Sequence, residues 1–163
     1  MASPTPTTLG QWQRIEALVQ AWLDERRQLI VLLCAIQGLR NYSEEKPQPV
    51  HQQVQAFCQL LMDYISAGYF EIYRELVNEA RSFRRDNPEL TRHILARLDS
   101  STDEALAFNA EFEKPERCQQ KIHELPDRIS HLMETLEERF SLEDQLILSI
   151  HQQEPPRLQA VMH

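Results

Sequence analysis

The sequence predicts an all-α protein, an up-down four-helix bundle of long amphipathic helices. Only 3 glycines occur in 163 residues, against a usual share of roughly 7%, and sheet-rich chains need turn glycines. Leu, Gln, Glu and Arg dominate instead, and all four are good helix formers. Apolar residues also recur at three- and four-residue steps through four long segments.

The first helix reads from Leu9 to Gln37. Trp12, Ile15, Val19, Trp22, Leu29, Leu33 and Ile36 keep its period, and Gly38 supplies the stop. Arg26 falls on that stripe where an apolar residue is wanted. Residues 41–49, with two prolines, read as a connector. The second helix reads from Pro49 to Arg85, interrupted only by Gly68. An interior glycine costs about 1 kcal/mol relative to Ala and is best tolerated where another helix or a partner comes close.

Asn87 is a suitable N-cap and Pro88 fits the first helical position. The third helix then runs through Leu90, Ile94, Leu98, Ala105 and Leu106 to Phe112. Its middle, residues 100–103, is a place for loosening, and Ser101 with Glu104 matches a capping box that could restart it. Residues 113–116 form a charged turn. The last helix carries Ile129, Leu132, Leu136, Phe140, Ile147 and Ile150 and ends near Gln153. Pro126 is either its first turn or a kink. The expected organisation is a disordered lead-in over residues 1–8, one helical-bundle domain over 9–153 and a loose C-terminal tail over 154–163.

Net charge is -8 and the sequence pI is about 5.2. Such a surface repels duplex DNA and anionic membranes and attracts a basic protein. Arg81, Arg84, Arg85, Arg92 and Arg97 form a basic region, and Glu134, Glu137, Glu138, Glu143 and Asp144 an acidic one; the plain reading of both is solvated helix face. Cys34, Cys58 and Cys118 read as small reduced core residues, which implies a reducing compartment. The longest apolar run, residues 29–36, falls far short of the roughly 20 residues a membrane span needs. A cytoplasmic location is expected.

No motif supports an enzyme. None of His51, His93, His123, His131, His151 or His163 has a Glu three residues before it, as di-iron bundles require. The cysteines lack zinc-finger spacing, and no phosphate loop or nucleophile elbow is present. No catalytic residue, metal ligand or cofactor is therefore named, and the histidines read as surface or rim residues.

Residues 57–73 (FCQLLMDYISAGYFEIY) are the most informative stretch. Phe57, Leu61, Tyr64 or Ile65, Gly68, Ile72 and Leu76 make one buried stripe. A second row, Leu60, Asp63, Ala67 and Phe70 with Ser66 beside it, mixes a carboxylate, a hydroxyl and a large aromatic. It is either covered by neighbouring helices or offered to a partner. Charges also sit on apolar stripes: Arg26 follows Trp22, and Glu143 follows Leu136 and Phe140, with Arg139 one turn before it and Asp144 adjacent. Buried alone, such groups would cost several kcal/mol. Either Arg26 or Arg139 neutralises Glu143 internally while Asp63 accepts from a backbone or hydroxyl donor, or these groups line a groove that a basic partner completes.

At these residues the chain resembles a known family. FCQLLMDYISAGYFEIYREL, with WLDERRQLI upstream and LEERFSLEDQLI downstream, is similar to the Rsd/AlgQ family of bacterial anti-sigma factors, and ALAFNA at 105–110 points to its AlgQ side. The likeness covers residues 17–150; Pro126 and the Pro-rich stretch before His51 depart from the family pattern. It implies a cytoplasmic bundle that binds the primary, sigma-70-type sigma factor, mainly its promoter-reading C-terminal domain. That domain would be kept from core RNA polymerase and from promoter DNA by an acidic groove with an apolar centre. Carried onto matching positions, Asp63, Ser66 and Phe70 lead as contacts, followed by Trp22, Arg26, Glu143 and Asp144. The competing readings are a metal-binding or oxygen-handling bundle and a structural bundle that self-associates through the same face.

Overall fold

A computed structural model describes residues 4–38, 47–83 and 87–151. Every long element is helical, and no strand occurs among the described residues. Helix α1 spans Pro4–Gln37 and α2 Pro47–Ala67; a π-helical turn, Gly68–Ile72, links α2 to α3, Tyr73–Ser82. Next come α4, Pro88–Phe112, and the short α5, Pro115–Gln120. A 3-10 turn at Ile122–Glu124 leads into α6, Leu125–Ile150. Helix α1 packs on α2 and α6, and α4 packs on the same two, which closes the ring of a four-helix bundle. At ~1.5 Å per residue, the 34 residues of α1 make a rod of about 50 Å.

The core is the set of stripes expected from periodicity. Ile15, Val19, Trp22, Leu29, Leu33 and Ile36 face inward from α1. Phe57, Leu61, Tyr64, Ile65, Ile72 and Leu76 answer from the second rod, and Ile129, Leu132, Leu136 and Ile150 from α6. Phe108 packs edge-on against Phe57 and stacks on Phe112, which fills the end near α5.

Several boundaries differ from the expected ones, each for a local reason. Helix α1 starts at Pro4 rather than Leu9, and α2 at Pro47 rather than Pro49, since proline suits a first helical turn. Helix α4 does not loosen over residues 100–103. Ser101 and Thr102 return their hydroxyls to the carbonyl of Leu98, so they compete with no helical bond. Asn87 caps α4 through its side chain, which accepts from the Leu90 amide. The charged turn shortens because Pro115 opens α5, and Pro126 lies in the first turn of α6 rather than at a kink. Of the cysteines, Cys58 and Cys118 are buried, and burial pushes their thiols up to about 12 and about 11. Cys34 is exposed, against expectation. Most of the expected 41–49 connector, together with Arg84, Arg85, the 154–163 tail and His163, falls outside the described residues.

His151 corrects the reading of the histidines as surface groups. It is buried, stacks on Trp12 and bonds through Nδ1 to Glu79 at 2.7 Å and through Nε2 to Glu16. Three rods are thereby clamped at one end. Burial opposes charging of the imidazole, but the two carboxylates outweigh it and raise its pKa. Among the described residues no helix is long and apolar enough to cross a membrane, and no cluster of three metal-ligating side chains occurs.

Candidate partner-binding site

The second rod changes its winding at one place. In the π turn the Tyr73 amide donates to the Gly68 carbonyl, five residues back rather than four. Tyr64 and Tyr73 are nine positions apart, which in a regular α-helix turns them about 180° away from each other. The π turn absorbs one extra residue, so the relation becomes that of eight steps, about 80°. Both phenols can then face the same interior.

What they face is Glu143, 0% exposed in the middle of α6. Tyr64 donates its hydroxyl to Oε1 at 2.5 Å, and Tyr73 donates to Oε2 at 2.6 Å. Each hydroxyl in turn accepts from an arginine: Arg26 Nε reaches Tyr64 at 3.0 Å, and Arg139 Nη2 reaches Tyr73 at 2.9 Å. The two guanidiniums also bond Glu143 directly, each at 3.2 Å. Burial raises the Glu143 carboxyl, while Arg139, the two tyrosines and Arg26 pull it back. Burial first, and then Glu143, push both phenols well above their ordinary range, so they remain donors.

The rest of the cage satisfies what remains. Arg139, 1% exposed, donates Nη1 to Ser101 at 2.9 Å and to Thr102 at 2.8 Å. This explains two hydroxyl residues in the middle of α4. Arg26 reaches outward to Asp144 at 2.6 Å and lies over the rings of Phe140 and Trp22. Trp22 stacks on Tyr64 with centroids 4.7 Å apart and donates Nε1 to the Tyr64 carbonyl at 3.1 Å. Gly68 has no room for a side chain: an added Cβ would lie 2.9 Å from Trp22 Cζ2 and 3.3 Å from the Tyr73 ring.

Outside the cage, the π turn presents what it displaces. Phe70 is 64% exposed and Tyr69 62%, their rings edge to face at 5.0 Å. Asp63 and Ser66 are exposed on the same rod, while Leu60 and Ala67 of the second row are half-buried against the core, so the row is uncovered only at its polar and aromatic members. Asp63 accepts from Gln59 Nε2 at 3.1 Å rather than from a backbone or hydroxyl donor. Glu25 on α1 has a raised pKa, through burial and then through the nearby charges of Asp63 and Glu71. Among the described residues none of these three carboxylates forms an ion pair, and Glu25 Oε2 is buried with no hydrogen-bond partner.

The sequence-predicted residues therefore divide. Asp63, Ser66 and Phe70 share the outer face. Trp22 and Glu143 are interior, beyond the reach of a docking surface, and Arg26 is mostly covered, with Asp144 exposed above it. The internal ion-pair reading of Glu143 holds, with both arginines rather than one. One expectation needs correcting: the groove beside Phe70 is not acidic. It runs between α3 and α4, and Arg74, Arg81 and Arg92 line it. None of Asp63, Glu71 and Glu25 lines it; these three lie near one another, with Glu25 on α1. Sequence reasoning also missed Tyr64 and Tyr73 as a pair, because nine-residue spacing argues against a shared face unless a π turn is known.

The family model described as "Regulator of RNA polymerase sigma(70) subunit, Rsd/AlgQ" matches residues 1–151. A "Regulator of sigma D" from Yersinia pseudotuberculosis serotype O:1b (strain IP 31758) is 31% identical over 130 residues, covering 80% of this chain and 77% of the relative. One from Yersinia pestis is 30% identical over 130 residues, with the same coverage of 80% and 77%. Another, from Pectobacterium carotovorum subsp. carotovorum (strain PC1), is 30% identical over 135 residues, covering 83% and 88%. No solved structure matches. With the family's pattern running from the first residue to the end of α6, this chain belongs to the Rsd/AlgQ family of regulators of the RNA polymerase sigma(70) subunit.

Proposed function

We propose that this chain binds the primary, sigma-70-type sigma factor, chiefly its C-terminal promoter-reading domain, through the face carrying Asp63, Ser66 and Phe70. Bound there, it keeps the factor from core RNA polymerase and from promoter DNA. The observation that carries this reading is the exposed Phe70 ring on the rod that also bears Asp63 and Glu71, which with nearby Glu25 have no ion pair among the described residues. A DNA-reading domain is basic where it meets phosphates, and a bare acidic patch with an aromatic anchor on the same rod suits such a surface.

Each residue then has a physical role. Phe70 fills an apolar pocket, a kind of contact that often costs about 2 kcal/mol or more on truncation. Asp63 receives an arginine or a helix N-terminus, and Ser66 adds an adaptable hydrogen bond. Trp22, Arg26 and Glu143 act beneath the surface as positioning residues that hold the π turn, and Asp144 adds charge at the edge. The family membership supports the partner, and the relatives named regulators of sigma D support its class.

Calorimetric titration of the whole chain with an isolated sigma-70-type C-terminal domain tests the proposal. One-to-one binding that weakens as salt rises is expected. A folded pair that gives no heat and no complex at any salt would refute it.

A further inference from the structure

We propose that the groove between α3 and α4 is a second docking site, for an acidic amphipathic helix of a partner protein. The groove encloses about 960 Å³, at the top of the range of roughly 300–1,000 Å³ typical of small-molecule sites. Its floor is apolar, built from Tyr73, Val77, Ala80, Leu95 and Leu98. Two helices form its walls, so its shape is that of a helix-receiving trough.

The charge of its rim selects the occupant. Arg74, Arg81 and Arg92 stand along it and are exposed, whereas Asp99 is the only carboxylate in the lining among the described residues. Arg74 donates to the Phe70 carbonyl, which leaves its charge unneutralised. Among the described residues none of the three guanidiniums forms an ion pair. In a chain of net charge -8, three unpaired cations around an apolar trough run against the general charge. A helix with one leucine-rich stripe and glutamates on its flanks complements both features.

A basic sigma domain would be repelled by this rim, so the trough is distinct from the face carrying Asp63 and Ser66, although Phe70 belongs to both. A small anion would satisfy the arginines but leave the apolar floor wet.

The probe is a fluorescein-labelled synthetic helix of about four turns, with leucines at three- and four-residue steps and glutamates beside them. A twin carries lysines in place of the glutamates. Anisotropy with the full chain should show binding of the glutamate peptide and at least about tenfold weaker binding of the lysine peptide. The double variant Arg81→Glu/Arg92→Glu, altered only at exposed positions, should keep its helicity and reverse that preference. Equal binding of the two peptides, or a preference unmoved by the double variant, would overturn the proposal. Displacement of the peptide by inorganic pyrophosphate alone would also overturn it in favour of a small-anion site. Sedimentation showing a dimer that the double variant disperses would assign the trough to a second copy instead. No sigma factor enters the assay, so failure here leaves the sigma-binding reading untouched.

Discussion

Tyr64 and Tyr73 grip opposite oxygens of one buried carboxylate, that of Glu143, although regular helical winding would send them to opposite sides of their rod. The π turn between them reconciles the two facts. It also sets Phe70 outside, so interior cage and outer face are parts of one local geometry. Pi bulges concentrate at functional sites, and here the bulge separates the two interior tyrosines and itself carries the exposed aromatic.

The cage is a stability determinant in its own right. Glu143→Gln removes the only anion that both buried guanidiniums share, leaving Arg139 charged and poorly matched. Breaking a buried pair from one side costs about 3–5 kcal/mol. Urea unfolding should register a loss of that size. A change below about 1 kcal/mol would mean that Ser101, Thr102 and water already suffice for Arg139.

Gly68→Ala tests the close approach of α1. Helix propensity alone would favour the alanine by about 1 kcal/mol. The new methyl would sit 2.9 Å from Trp22 Cζ2, and that ring cannot withdraw, because it is stacked on Tyr64 and tied to its carbonyl. Overpacking of this sort costs about 1–3 kcal/mol, so the net effect should be destabilising. A raised thermal midpoint would show that the rods can move apart freely.

Deleting Glu71 removes the extra residue of the π turn. The rod should then wind as a regular α-helix, with the two tyrosines still about 80° apart. Circular dichroism should show helicity and thermal midpoint retained, while sigma binding falls at least about tenfold because the aromatic face is re-aimed, and further than in Glu71→Gln, which removes the same charge without the deletion. Loss of folding would indicate that the π turn is required by the core itself.

His151 gives the protein a pH dependence of known sign. Its folded pKa is raised by Glu79 and Glu16 against the opposing effect of burial. Its contribution is therefore complete below the unfolded value of about 6.5 and is lost as pH rises through the higher folded value. Thermal midpoints should fall as pH rises above about 6.5 and through the higher folded value, and His151→Gln should flatten that fall. Parallel curves for the two proteins would remove the histidine from the account of pH stability.

Much of this was legible in the sequence, and what was hidden has physical reasons. The buried stripes of Ile15 to Ile36 and Phe57 to Leu76 follow from period alone, whereas period left the row of Asp63 and Phe70 open between cover by a neighbouring helix and exposure. Gly68 announced a close approach, and Trp22 supplies it. The charges at Arg26, Arg139 and Glu143 showed as breaks in apolar stripes. The Tyr64–Tyr73 pairing stayed hidden because residue spacing converts to direction only when the winding is known. The Glu79–His151–Glu16 clamp joins residues far apart in the chain, and a lone histidine near a helix end carries no sign of two carboxylates waiting in space. The basic trough was missed because Arg74, Arg81 and Arg92 belong to two helices whose relative rotation only the packed bundle sets.

The decisive measurement is the affinity of Phe70→Ala for an isolated sigma-70-type C-terminal domain, taken beside its thermal midpoint. The ring is 64% exposed and belongs to no core cluster, so truncation should leave folding almost unchanged. Binding should weaken at least about tenfold, the scale of a buried aromatic anchor. An affinity equal to that of the unaltered chain would contradict the assignment of this face to the sigma factor.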